Sequence, residues 1–344
     1  KNNISNRVNM YLRNIFLLNL FVSLIMSQEQ LGSDIDGEAA DDNSGYSVSL
    51  DSDGDRVAIG AFQNDGSFNN AGHVRIYSWD GSSWSQLGSD INGGGTDDRS
   101  GYSVSLDSDG DRVAIGATEA DGASSSFWNA GHVRIFSWDG SSWSQLGSDI
   151  DGEAADDDFG ASVSLDSDGD RVAIGAYNND GNGSDAGHVR IYSWDGSSWN
   201  QLGSDIDGEG EDDRSGNSVS LDSDGDRVAI GGRRNDGGGG NAGHARIYSW
   251  DGSSWSQLGS DIDGEAADDR LGYSVSLDSD GDRVAIGGRR NDGNGSNAGH
   301  ARIYSWDGSS WNQLGSDIDG EAVDDFSGHS VSLDSDGDRV AIGG

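Results

Sequence analysis

Histidine, aspartate and arginine are the residues of this chain able to move a proton, hold a cation or grip an anion, and nearly all of them recur at fixed intervals. His73, His132, His188, His244 and His300 occupy one repeated position, and His329 stands alone in another. A catalytic base is needed once, so five identical placements predict a structural hydrogen bond in each repeat. No Ser/His/Asp set, cysteine nucleophile or phosphate-binding glycine loop breaks the pattern. The chemistry-bearing residues therefore point away from an enzyme.

The carboxylates raise a metal question. Asp51, Asp53 and Asp55 recur in every copy and invite Ca²⁺. A tight turn cannot wrap the six to eight oxygens that the ion takes, so the expectation is plain turn chemistry, with Asp51 facing Arg56. Asp34, Asp36, Glu38, Asp41 and Asp42 recur between repeats. They either bind Ca²⁺ loosely or form a solvated rim. No cofactor is certain, and Ca²⁺ is the one candidate.

Few residues escape the repetition. Arg233-Arg234 and Arg289-Arg290 stand where earlier copies have Phe62-Gln63, Thr118-Glu119 and Tyr177-Asn178. Four guanidiniums on neighbouring rims could grip a sulfate, a carboxylate or an acidic glycan, or could neutralise the acidic loops beside them. Phe127 and Trp128 lie in a three-residue insertion. An aromatic pair there stacks on a sugar ring or protein partner, or covers an edge.

The elements that hold these residues follow from the repeat. Gln-Leu-Gly-Ser-Asp-Ile begins at Gln30, Gln86, Gln145, Gln201, Gln257 and Gln313, a unit of about 56 residues. Each unit resolves into four strands. In the first, 46–52 and 55–61 flank Asp53-Gly54, read as a two-residue turn with positive φ at both positions. That register sets Val48 against Ile59 and Leu50 against Val57 on one bulky face, with Ser47, Ser49 and Ala58 on a small face. The second hairpin, 73–79 and 84–91, sets Trp79 against Trp84 and Ile76 against Leu87. With no helical period anywhere, the pattern predicts an all-β fold, a β-propeller of four-stranded antiparallel blades. The blades fall at about 44–92, 100–151, 159–207, 215–263 and 271–319, with a partial blade at 327–344 and a lone strand at 28–36. Five complete blades plus partial ones suggest a fragment. Alternating strand direction puts both short turns on one rim. The variable stretch 62–71 and the acidic stretch 36–44 share the other rim, where a ligand is expected.

Composition agrees. The chain has 56 Gly, no Pro, no Cys and a net charge of −40, with Lys1 its only lysine. Such a surface repels nucleic acid and anionic membranes and attracts cations. Residues 1–27 read as a secretory signal peptide with upstream residues, Met10 being a candidate start. The apolar run is short for a membrane span, so export without membrane insertion after signal removal is the expectation, and a retained anchor the alternative.

Phe159-Gly160-Ala161-Ser162-Val163-Ser164-Leu165, followed by Val172-Ala173-Ile174-Gly175-Ala176, resembles the FG-GAP repeat of integrin α-subunit propellers and bacterial secreted proteins. The resemblance covers 30–344 and implies an extracellular propeller used for adhesion or ligand contact. The other copies lack Phe-Gly, and without proline Gly-Ala-Pro is never completed. Integrin-type blades carry Asp-x-Asp-x-Asp-Gly-x-x-Asp, whereas Asp51–Asp55 brings Gly54 too early. Gly287-Gly288 with Tyr304 and Trp311 is similar to the kelch repeat, a rival with the same architecture. The WD pattern does not fit, because Gly72-His73 and Trp79-Asp80 lie within one strand. The expected function is a non-enzymatic secreted or cell-surface module that binds an extracellular glycan or protein through its variable rim. Alternatives are the non-catalytic portion of a larger secreted enzyme, or a structural matrix repeat protein.

Overall fold

The computed structural model of the chain describes residues 30–121 and 128–344. The segment read as a signal peptide and Phe127 lie outside the described residues.

Every described regular element is a β-strand. The first repeat contains β1 (Ser47–Leu50), β2 (Arg56–Ala61), β3 (His73–Trp79), β4 (Trp84–Gln86) and β5 (Ile91–Asn92). The sheet order is β1-β2-β3-β4, all antiparallel, and β5 also pairs with β3. β4 and β5 are one outer strand interrupted at 87–90, where Gly88 turns left-handed at φ 82°. The same sheet recurs across 100–151, 162–207, 215–263 and 271–319, and two strands, Ser330–Leu333 and Val340–Gly343, begin a sixth copy.

The alternation of β1 and β2 sets their register: Val48 faces Ile59 and Leu50 faces Val57. The turn between them differs from the sequence expectation. Pairing stops where the Asp51 N–H donates to the Arg56 carbonyl, and the Gly54 N–H closes back on the Asp51 carbonyl. Gly54 has φ +69°, while Asp53 keeps an ordinary φ. A two-residue turn fails because Ser52 is committed sideways: its N–H donates to the Ser108 carbonyl of the next copy at 3.1 Å. Successive serines repeat that bond from Ser52 through Ser108, Ser167, Ser223 and Ser279 to Ser335. A belt of main-chain bonds therefore joins the inner strands of all six copies.

Copies stack face to face. Ala58, Val74, Ile76 and Ile91 pack against Val104, Leu106, Val113 and Ile115 of the next copy. Equivalent clusters follow between the second and third, third and fourth, and fourth and fifth copies. Each fully buried Val, Leu or Ile contributes roughly 1.5–3 kcal/mol, so these interfaces hold the array together. The small face permits close approach: a β-carbon at Gly60 would lie 2.2 Å from the Gly101 carbonyl oxygen. The outer strands are tied as well. The Trp143 indole N–H donates to the Leu87 carbonyl of the preceding copy at 2.8 Å, and Trp199, Trp255 and Trp311 do likewise.

The ends of the six inner strands surround a cavity of about 250 Å³ lined by Leu50, Asp51 and Ser52 and their equivalents. That cavity marks the propeller axis at the rim of short turns. Between the sixth copy and the first lies a cleft of about 960 Å³. Val48 and Leu50 border it at 63% and 59% exposure, whereas Val104 and Leu106 are 9% and 7% exposed. The lone strand expected at 28–36 forms no ladder over its described part. It has no third strand beside it to pair with, and is held instead by the Trp84 indole N–H donating to the Leu31 carbonyl.

Candidate functional site

The positions at which the copies diverge are placed by the ends of β1 and its equivalents. The residue preceding the Ser-Val-Ser-Leu run of this strand is Tyr46, Tyr102, Ala161, Asn217, Tyr273 or His329. Three residues earlier stands Asn43, Arg99, Asp158, Arg214, Arg270 or Phe326, each with φ between +54° and +57°. The loop after the second strand opens with Phe62, Thr118, Tyr177, Arg233 or Arg289. These positions lie at the opposite end of the inner strands from the serine belt, and propeller symmetry brings them together around the axis.

The contacts divide the cluster into two halves. In the first three copies, Tyr46 packs on Phe62 and Tyr102 at 4.6 and 5.1 Å between ring centroids. Arg99 pairs with Glu119 at 2.9 Å, and Asn178 donates to Asp158 at 2.6 Å. Burial pushes the Asp158 carboxyl up to about 6 and Tyr177 up to about 12. The other half is cationic. Arg233 lies 5.2 Å from the Tyr177 ring and 5.6 Å from the Tyr273 ring. Arg289 lies 4.1 Å above Tyr273, whose ring also packs on His329 at 4.9 Å. Burial first, then Arg290, Arg289, Arg234 and Arg233, push the Arg270 guanidinium down to about 10. It stays charged at neutral pH. Arg233 lies between the Tyr177 and Tyr273 rings, so residues of the third, fourth and fifth copies share one site.

Main-chain bonds fix these side chains. The Arg234 N–H donates to the Asp213 carbonyl at 3.2 Å, and the Arg290 N–H to the Asp269 carbonyl at 3.1 Å. The structure thus brings Arg233, Arg234, Arg289 and Arg290 together. Sequence reasoning missed Arg270, Arg214, Tyr177 and Tyr273. Their signal was present, since the positions of Asn43, Tyr46 and Phe62 each change residue type from copy to copy. Trp128 is 67% exposed on the same rim and makes none of the aromatic contacts of this cluster.

The acidic candidates divide differently. The Asp51 Oδ1 accepts the N–H groups of Asp55 and Arg56 at 2.9 and 3.1 Å. The Arg56 guanidinium reaches past it to the Gly110 carbonyl of the next copy, so the expected Asp51–Arg56 charge pair does not form. Asp53 and Asp55 are exposed at the turn. Asp34, Asp36, Glu38 and Asp41 are exposed, with Asp34 accepting from Gln30 at 2.7 Å. Asp42 is neither solvated nor free. It is buried and accepts from the Ala39 N–H and the Asn64 side chain, tying the two variable-rim loops together.

The repeated histidines are buried, and His188 lacks the hydrogen bond that the sequence predicts. His188 Nδ1 stands 3.8 Å from both Glu153 and Asp205, and neither ring nitrogen has a partner. Glu38-His73-Asp90 is the equivalent set in the first copy. Such triads gather metal-type donors within 4.8 Å. In the third copy, however, Arg190 already bridges Glu153 and Asp205, neutralising the charge that would draw a cation.

Repeated four-stranded blades around an axis, with the copies diverging at one end of it, define a β-propeller. The FG-GAP repeat family model matches residues 149–192, so the chain carries an FG-GAP repeat, and five sheets repeat that blade. No curated protein matches. Among solved structures, a protein of Bacteroides uniformis provisionally named a 6-phosphogluconolactonase is similar with a TM-score of 0.57 and 11% identity, over 87% of this chain and 77% of that one. At that identity the likeness is one of fold. FG-GAP repeats are typically extracellular, and no helix among the described residues is long and apolar enough to cross a membrane.

Proposed function

We propose that the chain is a non-enzymatic binding module, exported or displayed at the cell surface, whose variable rim holds an extracellular glycan or protein. One observation carries the reading. Arginine and tyrosine side chains that differ from copy to copy converge at one end of the axis, while the opposite rim repeats the same short turns. Scaffold residues repeat, and residues that serve one ligand need not. The five-fold use of the His/carboxylate sets supports a structural role for them, since a catalytic group is needed once.

An array of extracellular glycans and matrix proteins probed with the purified chain tests this. Retention should be lost with Arg233→Ala or Arg234→Ala and kept with Ser197→Ala, which alters the opposite rim. Loss with Ser197→Ala alone would move the ligand to the invariant rim and overturn the reading.

A further inference from the structure

The cationic half of the axial cluster holds more charge than its surroundings neutralise. Arg234 comes within 3.9 Å of Asp212, but Arg233, Arg270, Arg289 and Arg290 form no ion pair among the described residues. This happens in a chain of net charge −40. The Nε atoms of all four are buried without a hydrogen-bond partner. A buried donor left unpaired opposes folding, and so does repulsion between neighbouring guanidiniums. Arg270 adds backbone strain. Its φ is +57°, a conformation that Asn and Gly adopt more readily than Arg. Three independent costs therefore fall on one spot, as expected where a ligand rather than the fold selects the residues.

Resting on the rim-binding reading above, we infer that Arg233, Arg270, Arg289 and Arg290 form a site for the carboxylate or sulfate group of a small acidic saccharide. Guanidinium groups match such oxyanions with paired N–H donors. Tyr46, 54% exposed at the same end of the axis, offers an apolar ring face for the sugar. The acidic rim selects against extended polyanions, because their further charges would meet rim carboxylates such as Asp212, which lies 3.9 Å from Arg234, well within a Debye length of about 8–10 Å. An acidic peptide brings its carboxylate on a flexible stem and loses more rotamer freedom on binding than a rigid sugar acid.

Calorimetric titration of the purified chain at low ionic strength tests the site, with sodium glucuronate, glucose 6-sulfate, glucose and N-acetylaspartate as probes. One glucuronate or glucose 6-sulfate should bind per chain, and glucose should give no heat. Arg289→Gln and Arg270→Asn should each weaken binding about tenfold or more. Arg270→Asn relieves strain and repulsion, so it should melt no lower than the unaltered chain, separating lost binding from lost folding. A lowered melting temperature with Arg270→Asn overturns the strain argument. Tighter binding of N-acetylaspartate than of either sugar acid overturns the saccharide assignment. If neither sugar acid binds while the array ligand is still retained, this inference fails and the rim-binding reading stands. Absence of both leaves neither standing.

Discussion

At the scale of single residues, burial decides what each repeated polar group does. Aspartate spacing raised a cation question at Asp51, Asp53 and Asp55 that the tight turn argued against, and the Asp51 carboxylate is spent on two backbone N–H groups. Histidine shows the same logic with a pH signature. Burial, reinforced by Arg190, pushes the His188 imidazole down to about 4, against an ordinary value of about 6.5 in an unfolded chain. The unfolded state then binds more protons between those limits, so this group's contribution is present above pH about 6.5 and is lost as the pH falls toward 4. Denaturant midpoints of the unaltered chain and His188→Gln, measured from pH 8 to pH 4, should converge or cross as the solution is acidified. A gap independent of pH would contradict a buried neutral histidine. The repeated position of His188 was legible in the sequence. Its lack of a hydrogen-bond partner was not, because Glu153 and Asp205 reach it from different strands and loops.

At the scale of elements, the hairpins were the most legible part. Alternation in β1 and β2 gives the register because a one-residue slip would exchange the bulky and small faces. The turn was less legible, since the Ser52 N–H is claimed by a neighbouring copy that a local reading of Asp53-Gly54 does not contain. The glycine ending Val-Ala-Ile-Gly has a similar non-local cause. A β-carbon at Gly175 would lie 2.1 Å from the Gly216 carbonyl oxygen of the next inner strand. Gly175→Ala should therefore cost about 1–3 kcal/mol through overpacking, read as a lowered denaturant midpoint. An unchanged midpoint would mean that the blades are not in the close contact described.

At the scale of the whole molecule, the order of the copies sets which apolar groups matter. Leu165 lies between the second and third blades, whereas the equivalent Leu50 borders the cleft. Leu165→Ala should cost about 2–5 kcal/mol and Leu50→Ala well under half of that. Equal losses in thermal or denaturant unfolding would show that Leu50 is covered in solution. The proposed binding face also belongs to this scale. The sequence singled out the two arginine pairs, and strand alternation put them on the rim opposite the short turns, where the structure has them. Their meeting with Arg270, Tyr177 and Tyr273 needed the propeller axis, because residues of the third, fourth and fifth copies converge there.

The most direct test of the axial site is anomalous diffraction from crystals of the chain soaked in selenate, a heavy analogue of sulfate. The account predicts one dominant anomalous peak within hydrogen-bonding distance of the guanidiniums of Arg233, Arg270, Arg289 and Arg290. Dominant peaks elsewhere, with none at that cluster, would contradict it.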